Sequence, residues 1–145
     1  MYRYPCAARL GIAGGIISIL ISIPAVSQMP TSPVNGIFGI YGQPTPGHDS
    51  IQVTKKANER IGVNLKLYYA SGHTCRLSQD GKWSQDHIAI MAEGLDSNRP
   101  CRLNLFFENH RVLLKDEGSQ CARVYCGTRG KLDNASLPKF IPDRE

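Results

Sequence analysis

The chain has 145 residues, 41% hydrophobic and 20% charged, which is one domain's length and too apolar a composition for a disordered tail. Its formal charge of +5 is scattered along the sequence, which argues against a nucleic-acid partner, and its 14 Gly and 9 Pro follow no fibrous period.

At the N-terminus, Arg3 and Arg9 lead into an apolar run at 10–26, broken only by Gly, Ser and Pro24. Ala25 and Ser27 then supply the small residues that a signal peptidase needs. The run is shorter than the about 20 apolar residues of a spanning helix. Residues 1–27 are therefore read as a cleaved signal helix, with an uncleaved anchor as the alternative. Cys6 follows Arg3-Tyr4-Pro5 and precedes the apolar run, so it does not suit lipid attachment. Loss of the signal would leave 15 basic against 12 acidic residues, net +3. It would also leave an even set of four cysteines, Cys75, Cys101, Cys121 and Cys126. In an exported small domain an even set reads as two disulfides. No Cys-x-x-Cys pair exists, which excludes thioredoxin-like redox chemistry and disfavours a zinc site. The compartment predicted is periplasmic or secreted, with no stable membrane span after processing.

Residues 28–50 form a Pro/Gly-rich lead-in, with a first strand possible at 36–41. The β-domain is predicted at 51–133, followed by a C-terminal tail at 134–145. Ile51 and Val53 alternate with polar residues. The cleanest alternation follows, with Ile61, Val63, Leu65, Leu67 and Tyr69 on one face. Asp80-Gly81 predicts a tight turn, and Ile88, Ile90 and Ala92 predict a strand closed by Glu93-Gly94. Residues 101–115 predict a hairpin whose two-residue loop is Asn109-His110. Phe107 then faces Val112, Leu105 faces Leu114 and Leu103 faces Asp116. That register leaves Phe106 opposite Leu113 on the outer face, under a second layer or in an exposed contact patch. It also puts Cys101 opposite Gly118, three residues before Cys121. Cys101–Cys121 with Cys75–Cys126 is the expected pairing, and Cys121–Cys126 with Cys75–Cys101 its main rival. No window of 11 or more residues after residue 27 carries a helical period. The fold class is all-β, a small antiparallel barrel or sandwich stapled by two disulfides.

Chemistry is sparse. There is no His-Glu-x-x-His, Gly-x-Ser-x-Gly, phosphate-cradling glycine loop or EF-hand loop. Asp80 and Asp86 lie near Trp83, but both stand in turn-like contexts that favour Asp anyway. His73, His87 and His110 fall at three separate strand ends. No metal and no cofactor is expected, and no nucleophile–base pair is visible.

One constellation stands out. Ser71-Gly72-His73-Thr74-Cys75 follows the strongest strand, and Cys101-Arg102-Leu103, Cys121 and the stretch from Tyr125-Cys126-Gly127 to Gly130 complete it. Together these resemble small, cysteine-stapled, all-β exported proteins of Gram-negative bacteria. The strand-end Ser-Gly, the polar residues after it and Lys82 are similar to the periplasmic and membrane-bound inhibitors of c-type lysozyme. The resemblance covers 61–131; after the Ser-Gly, this chain has Cys75 and Ser78 where that family repeats Tyr and Gly. It implies a small antiparallel barrel that presents a Ser-containing loop and a Lys to the lysozyme's catalytic carboxylates.

The function expected is that of an exported, non-enzymatic binding protein that inhibits a peptidoglycan hydrolase. A structural or host-contact factor of the envelope is the alternative, and a small periplasmic hydrolase the third reading. Partner contact is expected on a loop at 71–83. Its residues would be Ser71, His73 and Arg76, with Lys82 as a charged donor and Trp83 as an aromatic anchor. Trp83 equally suits a core position, and Ser71-Gly72 equally suits a plain turn.

Overall fold

The computed structural model describes residues 36–70 and 72–142; the expected signal at 1–27 and Ser71 lie outside them. Eight strands follow in order: β1 (Gly39–Gly42), β2 (Ser50–Lys55), β3 (Ile61–Tyr68), β4 (Thr74–Ser84), β5 (His87–Asp96), β6 (Arg99–Glu108), β7 (Arg111–Asp116) and β8 (Ser136–Pro138). Each pairs antiparallel with the next in one sheet, in chain order. Tyr41 of β1 bridges to Lys139 just beyond β8, which brings the two edges together and nearly closes a barrel. Of the two all-β architectures expected, the chain adopts the barrel.

The alternation in the sequence explains the interior. Ile51, Val53, Val63, Leu65, Leu67, Leu77, Ile88, Ile90, Leu103, Leu105, Val112 and Leu114 all point inward and are buried. An eight-stranded barrel has an interior that side chains alone can fill, so every second residue of each strand must be apolar. Tyr41 completes this core, donating its hydroxyl to the Ile37 carbonyl at 2.8 Å. Burial pushes its pKa up to about 12.

The β6–β7 hairpin has the predicted register: Phe107 pairs with Val112, Leu105 with Leu114 and Leu103 with Asp116. Asn109 (φ 47°) and His110 (φ 59°) both take left-handed conformations, as a two-residue hairpin turn requires. Two other expected boundaries are wrong. Asp80-Gly81 is not a turn but lies within β4, and the chain reverses at Gln85 and Asp86 instead. Gly81 is there because β4 passes at this point from β3 to β5, pairing with both Ile61 and Ile90. A Cβ on Gly81 would lie 2.5 Å from Ile88 Cγ2. Glu93-Gly94 likewise does not end its strand. β5 runs on to Asp96 through an irregularity between Ala92 and Asp96, where a Cβ on Gly94 would clash with the Arg99 carbonyl. The sheet also extends beyond 51–133, because the lead-in contributes β1 and the tail contributes β8.

Beyond β7 the chain makes one short helix, α1 (Gln120–Tyr125), shorter than any window in which a helical period is readable. Asp116 organises it. Its carboxylate accepts the backbone N–H of Cys121 at 3.0 Å and of Ala122 at 2.7 Å. That fixes Cys121 for its bond to Cys101, and the helix end places Cys126 for its bond to Cys75. The expected pairing is the one formed. Two disulfides fit an extracytoplasmic protein. Among the described residues, no helix is long and apolar enough to cross a membrane.

Candidate functional site

The site begins with a tight turn. Between β2 and β3, Asn58 and Glu59 both take positive φ, and the Lys56 N–H donates to the Arg60 carbonyl at 2.9 Å. This turn holds Lys55 and Arg60 at one end of the barrel. Because Ile61 pairs with Gly81, the next residues of β4, Lys82 and Trp83, arrive beside them. Strand alternation turns Lys82 to solvent and Trp83 toward the interior. The Trp83 ring stands 6.3 Å from Phe107, which in turn stands 5.5 Å from Tyr41. Trp83 thus closes the core at this end while remaining half-exposed on its outer side.

The result is a cleft of about 440 Å³ at the barrel mouth. Phe38 and Trp83 give it an apolar floor, and Lys55, Arg60 and Lys82 ring it with positive charge, Glu59 being its acidic member. Asp80, behind the turn, pairs with Lys56 and, at 3.3 Å, with Arg60. The Lys56 hydrogen bond, helped by the charges of Lys56 and Arg60, holds the Asp80 carboxyl below the usual carboxylate range. Lys55 and Lys82 form no ion pair among the described residues, so their charge is available to a ligand. A wider hollow of about 690 Å³ runs along the β1–β8 seam beside Tyr68 and Phe140, but it is a shallow trough rather than a cleft.

The expected loop at 71–83 does not exist as one loop. Only its first residues form the β3–β4 turn, where the Tyr69 N–H donates to the His73 carbonyl at 2.9 Å. From Thr74 onward it is strand β4. Lys82 lies eight steps along the strand from Thr74, roughly 26 Å at about 3.3 Å per residue. Of the five residues expected to share a surface, Lys82 and Trp83 come together. His73 lies at the far end of the barrel, Arg76 faces outward near that same end, and Ser71 is outside the described residues. Phe38, Lys55 and Arg60 were missed. The density of charge in Lys55-Lys56-Ala57-Asn58-Glu59-Arg60, set between two alternating segments, was the available signal.

On the outer face, Phe106 and Leu113 are neighbours as expected, and both are half-buried. The His87 ring stands 4.8 Å from Phe106, and among the described residues no second layer of sheet lies over the pair. Among the described residues, no group of three or more His, Cys, Asp or Glu comes together as a metal site would require. Compared with known proteins, the chain matches no family model, no curated protein and no solved structure.

Proposed function

We propose that this protein is an exported binding protein that docks through its barrel mouth into the active-site cleft of a peptidoglycan hydrolase of the c-type lysozyme kind and inhibits it. The observation that supports this reading is the pairing of an aromatic floor, Phe38 and Trp83, with the unpaired cations Lys55 and Lys82 at the open end of a rigid scaffold. Such hydrolases work with carboxylates at the base of a sugar-binding cleft. A lysine inserted there makes charge-assisted hydrogen bonds, and an aromatic ring supplies the apolar contact that excludes water around them.

This reading differs in one respect from the arrangement that the resemblance implies. There a serine loop and a lysine act together, whereas here the neighbours of Lys82 are Lys55, Arg60 and Trp83. The pairing with carboxylates is short-range. The net positive charge of the chain does nothing to steer it toward a basic enzyme. The test is a titration of the protein, recovered from the export compartment, into a c-type lysozyme cleaving cell-wall substrate. Saturable loss of activity supports the reading. Undiminished activity at high molar excess would favour a contact factor of the envelope that has no hydrolase target.

A further inference from the structure

The outer face of β2, β3 and β4 carries an arrangement that the barrel itself does not need. Strand register lines up two transverse rows on this face: Ser50, Lys66 and Arg76 in one, Gln52, Asn64 and Ser78 in the other. All six side chains can donate or accept hydrogen bonds, two are cations and none is acidic. Lys66 and Arg76 are directly opposite each other, a like-charge placement that destabilises a sheet. Neither forms an ion pair among the described residues. The nearest carboxylate along β4, Asp80, is already held by Lys56 and Arg60.

Beside the cations lies a depression of about 150 Å³, walled by Ile40 and Pro44 and floored by Ser50, Gln52, Asn64 and Lys66. Clefts for drug-sized ligands run to roughly 300–1,000 Å³, so this one suits a single ring. Strands lie about 4.8 Å apart and residues on one face repeat about every 6.7 Å, so the six side chains cover an area about 10 Å by 7 Å. The depression thus offers an apolar wall, two amides, a hydroxyl and the Lys66 cation, with Arg76 and Ser78 of β4 opposite its lining residues.

We infer that this face is a binding site for an acidic sugar, a polyhydroxylated ring bearing one carboxylate or phosphate. The anion would bridge Lys66 and Arg76 and remove their mutual repulsion. Gln52, Asn64, Ser50 and Ser78 would bond the ring hydroxyls, and the apolar face of the ring would lie against Ile40 and Pro44. The site is on the barrel wall, separate from the mouth, and does not depend on the proposed inhibition.

The experiment is a titration followed by backbone amide shifts, using glucuronate, glucose 6-phosphate, glucose and acetate as probes. The expected result is saturable binding of one or both acidic sugars, with shifts confined to β2, β3 and β4 around the six residues. Which of the two binds more tightly tells whether the natural anion is a carboxylate or a phosphate. Lys66→Gln or Arg76→Gln should each weaken binding about tenfold or more, the loss of one charge-assisted hydrogen bond. Lys115→Gln, elsewhere on the barrel's outer face, should leave it unchanged. Equal response to glucose or to acetate, shifts spread evenly over Arg102 and Lys115, or no saturation by either acidic sugar would each overturn the inference.

Discussion

Asp116 accepts the Ala122 backbone N–H at 2.7 Å, and through it the end of β7 holds the helix that carries Cys121. The same carboxylate also binds the Cys121 N–H, so two amides at the start of α1 depend on one side chain. Asp116→Ala leaves both without this partner. The expected loss is about 1–3 kcal/mol, the cost of a buried donor left unmade, read as a lower urea midpoint. Asp116→Asn retains an acceptor and should lie between the two.

The same residue shapes the pH dependence of stability. Burial raises the Asp116 pKa above the ordinary carboxylate value, the two amide bonds offsetting this only in part. The folded protein therefore holds this proton more tightly than the unfolded chain, so its contribution favours folding as pH falls through the raised value. Asp80 acts in the opposite sense. Its pKa is lowered, so its contribution is present above the ordinary value and lost as pH falls through the folded one. Midpoints measured across the acid range should show the first effect vanish in Asp116→Asn and the second in Asp80→Asn.

The two disulfides should differ in worth. Cys75–Cys126 spans 51 residues and Cys101–Cys121 spans 20. Chain-entropy reasoning assigns about 4 kcal/mol to the longer loop and about 3 kcal/mol to the shorter. Paired Cys→Ser replacements followed by urea unfolding should rank them in that order. The reverse order would show that packing around α1, and not loop closure, sets their contribution.

His110→Gly should stabilise the protein. His110 sits at φ 59° in the β6–β7 turn, a conformation that costs an ordinary residue about 1 kcal/mol and glycine almost nothing. Its carbonyl accepts the Lys139 N–H, and that backbone bond survives the change. A higher melting temperature is expected, and an unchanged or lower one would mean that the imidazole contributes more than its backbone strain costs.

The parts of the fold legible in the sequence were those governed by local alternation and turn chemistry. β3 and the β6–β7 hairpin could be read residue by residue, because a period of two and an Asn at a positive-φ position are local signals. The disulfide pairing followed from that hairpin register. Gly81 misled because glycine marks both a turn and a strand interior crowded by its neighbours, and only the packing of Ile88 distinguishes them. β1 was legible only as a possible strand at 36–41, and β8 escaped, for a similar reason. They are short strands whose role is to join the sheet's edges, and that need arises only once the other six have curled. The site was half legible. Lys82 and Trp83 are adjacent in sequence, but Lys55, Arg60 and Phe38 reach them only through the register of β2, β3 and β4.

The role of the barrel mouth is tested by comparing inhibition of a c-type lysozyme by wild-type protein and by Lys55→Ala/Lys82→Ala, with melting temperatures measured alongside. Both lysines are exposed, so the variant should melt within the shift that corresponds to about 0.5 kcal/mol. Dose-dependent inhibition by the wild type and its loss in the double variant are expected. Equal inhibition by a variant that melts like the wild type would contradict that role, and would move the contact surface away from the barrel mouth.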